Sequence, residues 1–333
     1  MAGIFLFFRM LNSLITTKRA AVIMPLVFIL FSGADIVGRA ITHFQVGLIY
    51  HIEWWAGWIE YASNMTSLFW VPQHAIAVWL GAAILLLQAK RPTLLPYLAL
   101  AFSAICLWSP FAAIGLAPFA LVLAWRNGIK EIVFDWRPVV ALVLIALPTM
   151  LYLTNSAGQI PHGFIGTPAN RCVWSESAGA PCFSWPSYFL FVVVEFAVLG
   201  IILLFAKRDG RAMLIVALSS LMLIPLYKAG AYNDFGMRVS MAGLAVLAIL
   251  AGELIVTGPR LAAAAMIVAL ALGLPTSMGE VARVFTDVPG VDVNSSLEKS
   301  LNDHPEVLPQ YFARLPISVL RTSKEAPLAR AQN

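Results

Sequence analysis

The sequence predicts an all-α protein: a polytopic bundle of about nine or ten membrane-crossing helices with a small extracytoplasmic C-terminal tail. Three observations predict it. Of the 333 residues, 60% are hydrophobic and 12% are charged, whereas a soluble domain carries about 25% charged residues. The apolar residues lie in continuous runs, not in the alternating segments of about ten residues that build a membrane β-barrel. Basic clusters punctuate the runs: Lys18-Arg19, Lys90-Arg91, Arg126 with Lys130, Lys207-Arg208 with Arg211, and Arg260. Two apolar passes separate most neighbouring clusters, and basic residues at span ends are retained in the cytoplasm. The formal net charge of +5 is thus a topology signal and calls for no nucleic acid.

The elements follow in order. Residues 3–17 form a weak apolar segment interrupted by Arg9. Lys18-Arg19 follows it directly, so a cleaved signal peptide is disfavoured. Spans are expected at 20–41, 68–89, 94–108, 110–126, 138–155, 186–206, 212–228, 239–257 and 261–277. The first runs outward, so loops 42–67 and 156–185 are extracytoplasmic. Segments 94–108 and 110–126 turn tightly at Ser109-Pro110, and Pro118 marks a broken or tilted helix. Residues 1–277 then form the membrane domain, and 278–333 form an outer tail that is partly disordered.

Cys172 and Cys182 share the outer loop 156–185, where disulfides persist, and a bridge between them is expected. Cys106 lies within a span as a small packing residue. No cofactor is implied. A divalent metal is unsupported, because the two loop cysteines and His162 lack further ligands.

Ionisable groups inside spans are expensive and mark candidate sites. Asp35 and Arg39 share one helix face at i, i+4 spacing, where they can pair. Glu195 lies mid-span and must be protonated, paired or facing water. The densest polar feature is the outer loop with Tyr50, His51, Glu53, Trp54, Trp55, Trp58, Glu60, Tyr61 and Asn64, continuing to Trp70, Gln73 and His74. Interfacial preference explains many of these aromatics. It does not explain carboxylates, imidazoles and amides interleaved among them. Indole faces stack on sugars and prenyl chains, and a carboxylate can act as general base toward a hydroxyl. A second outer cluster holds Lys228, Tyr232, Asn233, Asp234 and Arg238. Its cations suit a phosphate, while Asp234 and Arg238 can also pair at a helix start. Asp35, Arg39, His51, Glu53, Gln73, His74, Asp234 and Arg238 are expected to line one outward-facing cavity; the alternative is two separate ion pairs.

Five stretches carry a resemblance: Phe31-Ser-Gly-Ala-Asp-Ile-Val-Gly38, His51-Ile-Glu-Trp-Trp55, Ser63-Asn-Met-Thr-Ser-Leu-Phe-Trp-Val-Pro-Gln-His74 with Trp79, Ser109-Pro-Phe-Ala-Ala-Ile-Gly-Leu-Ala-Pro-Phe119, and Asn233-Asp-Phe-Gly-Met-Arg-Val-Ser240. In that order they resemble the C-terminal portion of large bacterial multi-span proteins akin to GT-C membrane glycosyltransferases. The resemblance implies a multi-pass protein of the bacterial plasma membrane, serving the cell envelope. It also implies a polyprenyl-phosphate-linked sugar donor and transfer on the extracytoplasmic face, with membrane lipid as the surrounding partner. Such enzymes carry a catalytic aspartate in an earlier outer loop that this chain does not contain. Either Glu53 or Asp35 is then the base, or the chain is a truncated, inactive member. Arg39, His51, Trp54, Trp55, Asn64, Gln73, His74, Lys228, Asp234 and Arg238 would bind substrate. A lipid-linked saccharide transporter and a non-catalytic membrane subunit are the alternatives.

Overall fold

A computed structural model describes residues 2–15, 17–43, 51–90, 95–128, 136–154, 158, 160–173, 180–206 and 209–286. Arg91, Lys130, Lys207-Arg208 and the expected disordered tail from 287 lie outside the described residues. Among the described residues the fold is all-α apart from one short ribbon. Its helices are α1 (Ala2–Leu14), α2 (Ala20–Ile29), α3 (Asp35–Thr42), α4 (Asn64–Trp70), α5 (Pro72–Lys90), α6 (Leu95–Trp108), α7 (Pro110–Asn127), α8 (Trp136–Thr154), α9 (Trp185–Ala206), α10 (Arg211–Leu223), α11 (Asp234–Thr257), α12 (Arg260–Ala271) and α13 (Leu274–Thr286).

Five of these, α5, α7, α8, α9 and α11, are long and apolar enough to cross a membrane. Helices α12 and α13, bent by 41° at their junction, make a sixth if counted together. Other segments read as full spans are shorter. Residues 20–41 divide at 30–34 into α2 and α3, and 68–89 divides at Val71-Pro72 into α4 and α5. The preceding-residue clash of a proline ends α4 there. By contrast, Pro118 sits inside an uninterrupted α7. The hairpin between α6 and α7 is set locally: the Ser109 hydroxyl accepts the Ala112 N–H and Pro110 takes the first helical position, where its missing N–H costs nothing.

Helix α11 is the buried centre, with every residue from Val239 to Leu254 buried. It packs against α2, α5, α7, α9, α10 and α12. Its alanines and glycines permit this, since small residues let helix backbones approach closely. A Cβ on Gly115 of α7 would collide with the Val239 carbonyl of α11, and Gly243 packs beneath Leu221 of α10. Helix α1, the weak N-terminal candidate, belongs to the core: Phe7 is fully buried against Phe28 and Trp79. Helix α8 leans mainly on α6 and is largely exposed, the pattern of a helix whose other faces meet lipid.

The two ends of the bundle differ. At one end Lys90 of α5 pairs with Glu253 of α11 at 2.6 Å and donates to the Leu14 carbonyl of α1. The other end carries α3, α4, the start of α11 and a two-stranded antiparallel ribbon, β1 (His162–Phe164) with β2 (Tyr227–Ala229). The segment read as a helix to 228 therefore ends as a strand. Lys228 in β2 donates to the Cys172 carbonyl, and Cys172 is joined to Cys182 by a disulfide.

Candidate functional site

The site grows from residues 51–70. Residues 52–56 form one 3-10 turn that closes at Gly57; its left-handed φ of 72° suits glycine, and a Cβ there would also meet Pro181. The turn buries Glu53, Trp54 and Trp55. Ser63 caps α4 by accepting the Thr66 N–H. Glu53 Oε1 accepts the Ser63 N–H at 2.7 Å and the Thr66 hydroxyl at 2.8 Å. It is therefore committed to the first turn of α4, whose free donors it satisfies. Asn64 supports the same junction, donating its backbone N–H to the Phe31 carbonyl and its side-chain amide to the Phe28 carbonyl.

His51 stands between three carboxylates. Its Nδ1 lies 3.2 Å from Glu280 Oε1 and 3.9 Å from Glu53 Oε2, and its Nε2 lies 3.6 Å from Glu60 Oε2. Burial alone would push its pKa down; Glu60, Glu280 and Glu53 outweigh that and hold it at about 10. His51 is thus an imidazolium at neutral pH. Glu53 goes the other way. Its burial, then the charge of Glu60, push it well above the usual carboxyl range, against the opposing pull of His51. A buried neutral carboxyl relieves an otherwise crowded negative cluster.

Helix α13 completes the constellation. Glu280 Oε2 receives the Trp70 indole N–H at 3.0 Å and the Arg283 guanidinium at 2.8 Å. The same guanidinium lies over the Trp70 ring, 4.5 Å from its centroid. His51, Glu60, Trp70, Arg238 and Arg283 help to line a cavity of ≈ 240 Å³. Arg283 is only 4% exposed, yet its Nε and Nη1 have no hydrogen-bond partner among the described residues. Arg238, across the cavity, pairs with Asp234 at 2.5 Å and lies over Phe111.

Loop 51–74 and the start of α11 therefore do converge, but only some of the expected residues share the cavity. His51 and Arg238 line it, and Asp234 stands behind Arg238. Glu53 lies behind His51, with its free oxygen turned toward the imidazole. Gln73 is exposed and outside it. His74 contacts the Ser109 hydroxyl at 2.6 Å, next to Phe111. Lys228 belongs to the ribbon. Trp54 and Trp55 are buried and present no face to a sugar. Asp35 and Arg39 do not pair: Asp35 turns inward, fully buried, and its Oδ2 accepts from Ser32 at 2.8 Å and Thr276 at 2.9 Å. The helix starts at Asp35 itself, so its side chain meets the hydroxyls at the break instead of the next turn of its own helix.

Two site residues escaped the sequence reading. Glu280 and Arg283 fell in the presumed tail, yet α13 runs through 277 to Thr286 and buries both. Their i, i+3 spacing on an amphipathic stretch was the available signal. Glu60 was seen only as one polar residue among many.

His51, Glu53 and Glu60 each offer one ligand atom, all within 4.8 Å of one another. One nitrogen and two carboxylate oxygens suit a divalent cation. The imidazolium proton answers the same excess of negative charge, so cation and proton compete for this position.

No family model, curated protein or solved structure matches the chain.

Proposed function

We propose that the cavity receives the anionic head of a polyprenyl-phosphate-linked sugar and that the protein is a GT-C-like membrane glycosyltransferase acting on the extracytoplasmic face. The observation carrying this reading is Arg283. Two guanidinium nitrogens, buried and without acceptors among the described residues, are costly unless a ligand supplies oxygens. Arg238 adds a second guanidinium to the same cavity. A phosphate supplies acceptors for Arg283 and negative charge opposite both guanidinium groups.

Glu60 takes the role first expected of Glu53 or Asp35, since it reaches the cavity while those two do not. In the transfer, the acceptor hydroxyl oxygen attacks the anomeric carbon, and its proton passes to Glu60. The bond from that carbon to the phosphate oxygen breaks, and polyprenyl phosphate departs with its added negative charge beside Arg283 and Arg238. His51 orients Glu60. The shorter apolar helices complete about nine or ten passes through the bacterial plasma membrane.

The test is release of polyprenyl phosphate from a labelled lipid-linked sugar by the purified protein in lipid nanodiscs. Glu60→Gln should remove turnover while leaving donor binding within about threefold, because the hydrogen-bonding shape is kept and the base is lost. Unchanged turnover in that variant would reject the assignment.

A second reading, a lipid-linked saccharide transporter, is favoured by one feature: two broken helices, α2–α3 and α12–α13, meet at their breaks, where a Cβ on Gly273 would strike the carbonyls of Ser32 and Gly33. Paired discontinuous helices are common in transporters. Flux of the intact lipid-linked sugar across proteoliposomes, with no sugar released, would select it.

A further inference from the structure

Around Gly33 and Ala34, three chain irregularities come together. The α2–α3 break and the α12–α13 break touch. The third is a π-helical turn in α9 at Val193–Ala197. The Ala34 N–H donates to the Val194 carbonyl at 2.9 Å, tying the first break to that turn. At this junction Asp35 and Glu195 face each other, both fully buried.

Each acid has one oxygen occupied and one free. Asp35 Oδ2 accepts from the hydroxyls of Ser32 and Thr276. Glu195 Oε1 accepts the Trp55 indole N–H at 2.9 Å. Asp35 Oδ1 and Glu195 Oε2 have no donor from any other group, and the two carboxyls are within hydrogen-bonding reach of each other. Glu195 Oε2 also packs directly on Gly33, where a Cβ would overlap it. Among the described residues, no lysine, arginine or histidine pairs with either acid. The nearest charged groups that act on the pair, Glu60 and Glu53, are themselves acids.

We propose that Asp35 and Glu195 form a binding site for a single proton, shared between Asp35 Oδ1 and Glu195 Oε2. Two carboxyl oxygens can hydrogen-bond each other only if one carries hydrogen, and two bare charges at that separation in a dry site are strongly disfavoured. The occupied oxygens already see three donors, so the hydrogen must sit between the free ones. The proton holds α3 to α9. Through Thr276 it also holds α13, the helix that presents Glu280 and Arg283 to the cavity. This site does not depend on the sugar-transfer reading.

An amide cycle tests it. In Asp35→Asn the amide oxygen can still accept from Ser32 and Thr276 while its NH2 donates to Glu195. In Glu195→Gln the oxygen can still accept from Trp55 while the NH2 donates to Asp35. Each single variant reproduces the shared hydrogen and the net charge. Each should unfold within about 2 °C of the wild type in nanodiscs at pH 7, whereas the double variant, with two NH2 groups opposed, should fall by about 5 °C or more. Infrared absorption of the wild type should show a protonated-carboxyl C=O band, additional to that of Glu53, that either single variant lacks. Failure of either single variant to fold, additive losses in the double variant, or absence of the band would overturn the proposal. Stabilisation of the wild type by sodium or potassium, lost in both single variants, would also overturn it by showing a metal cation in place of the proton.

Discussion

Replacing Arg283 separates ligand binding from architecture. In Arg283→Met, Glu280 loses its guanidinium partner at 2.8 Å but keeps the Trp70 indole and His51. Removing one partner of a buried ion pair costs about 3–5 kcal/mol when nothing replaces it. Two surviving donors reduce this to about 2 kcal/mol, and loss of the Trp70 cation–π contact adds about 1 kcal/mol. The Met variant should therefore be less stable by about 3 kcal/mol. Arg283→Lys keeps a cation beside Glu280 and over Trp70, so its stability should fall by about 1 kcal/mol at most. A lysine cannot present the separate Nε and Nη1 donors that arginine carries. One lost charge-assisted hydrogen bond of about 1.5–3 kcal/mol weakens affinity for polyprenyl phosphate by roughly tenfold to a hundredfold. Thermal unfolding and equilibrium binding of a labelled polyprenyl phosphate, measured on both variants in the same nanodiscs, give the two numbers. A folded Lys variant that binds as tightly as the wild type would show that the orphaned donors do not serve an anion.

Other perturbations follow from the same contacts. Because the folded pKa of His51 is raised from 6.5 to about 10, its contribution to stability is fully present below pH 6.5 and is lost as pH rises toward 10. The melting temperature should fall across that window, and His51→Gln should flatten this fall; an unchanged profile would refute the imidazolium. Cys172→Ser removes a bridge between residues 10 apart in sequence and should cost about 2–3 kcal/mol, read as a lower melting temperature that reduction of the wild type reproduces. Gly38→Ala places a methyl into the Trp55 ring, which cannot retreat because its N–H is held by Glu195. Overpacking of about 1–3 kcal/mol should exceed the gain in helix propensity of about 1 kcal/mol, so this variant should melt lower.

Local signals carried far into the fold. Segments 110–126, 186–206 and 239–257 correspond closely to α7, α9 and most of α11, because a long apolar run satisfies its own backbone only as a helix. Ser109-Pro110 predicted the hairpin because cap chemistry acts within one turn. The breaks at 30–34 and 272–273 were not legible in the same way. Their freed backbone groups are satisfied by other elements: the Phe31 carbonyl by the Asn64 N–H, the Leu30 carbonyl by Ser277, and the Ala34 N–H by Val194. A window on the chain sees only the apolar run and reads through the break.

What the sequence by itself determined, then, is the class of molecule and the polar inventory of one end: apolar runs, basic punctuation, and the groups of 51–74 and 228–238. Which of those groups work together was decided only by the tertiary structure. The direction of a carboxyl is chosen by long-range donors. Thr276, 241 residues away, draws Asp35 inward. Glu280, 229 residues away, meets His51 and brings Arg283 with it. Hydropathy and spacing describe a residue's neighbours along the chain, whereas the cost of burying a charge is settled by its neighbours in space.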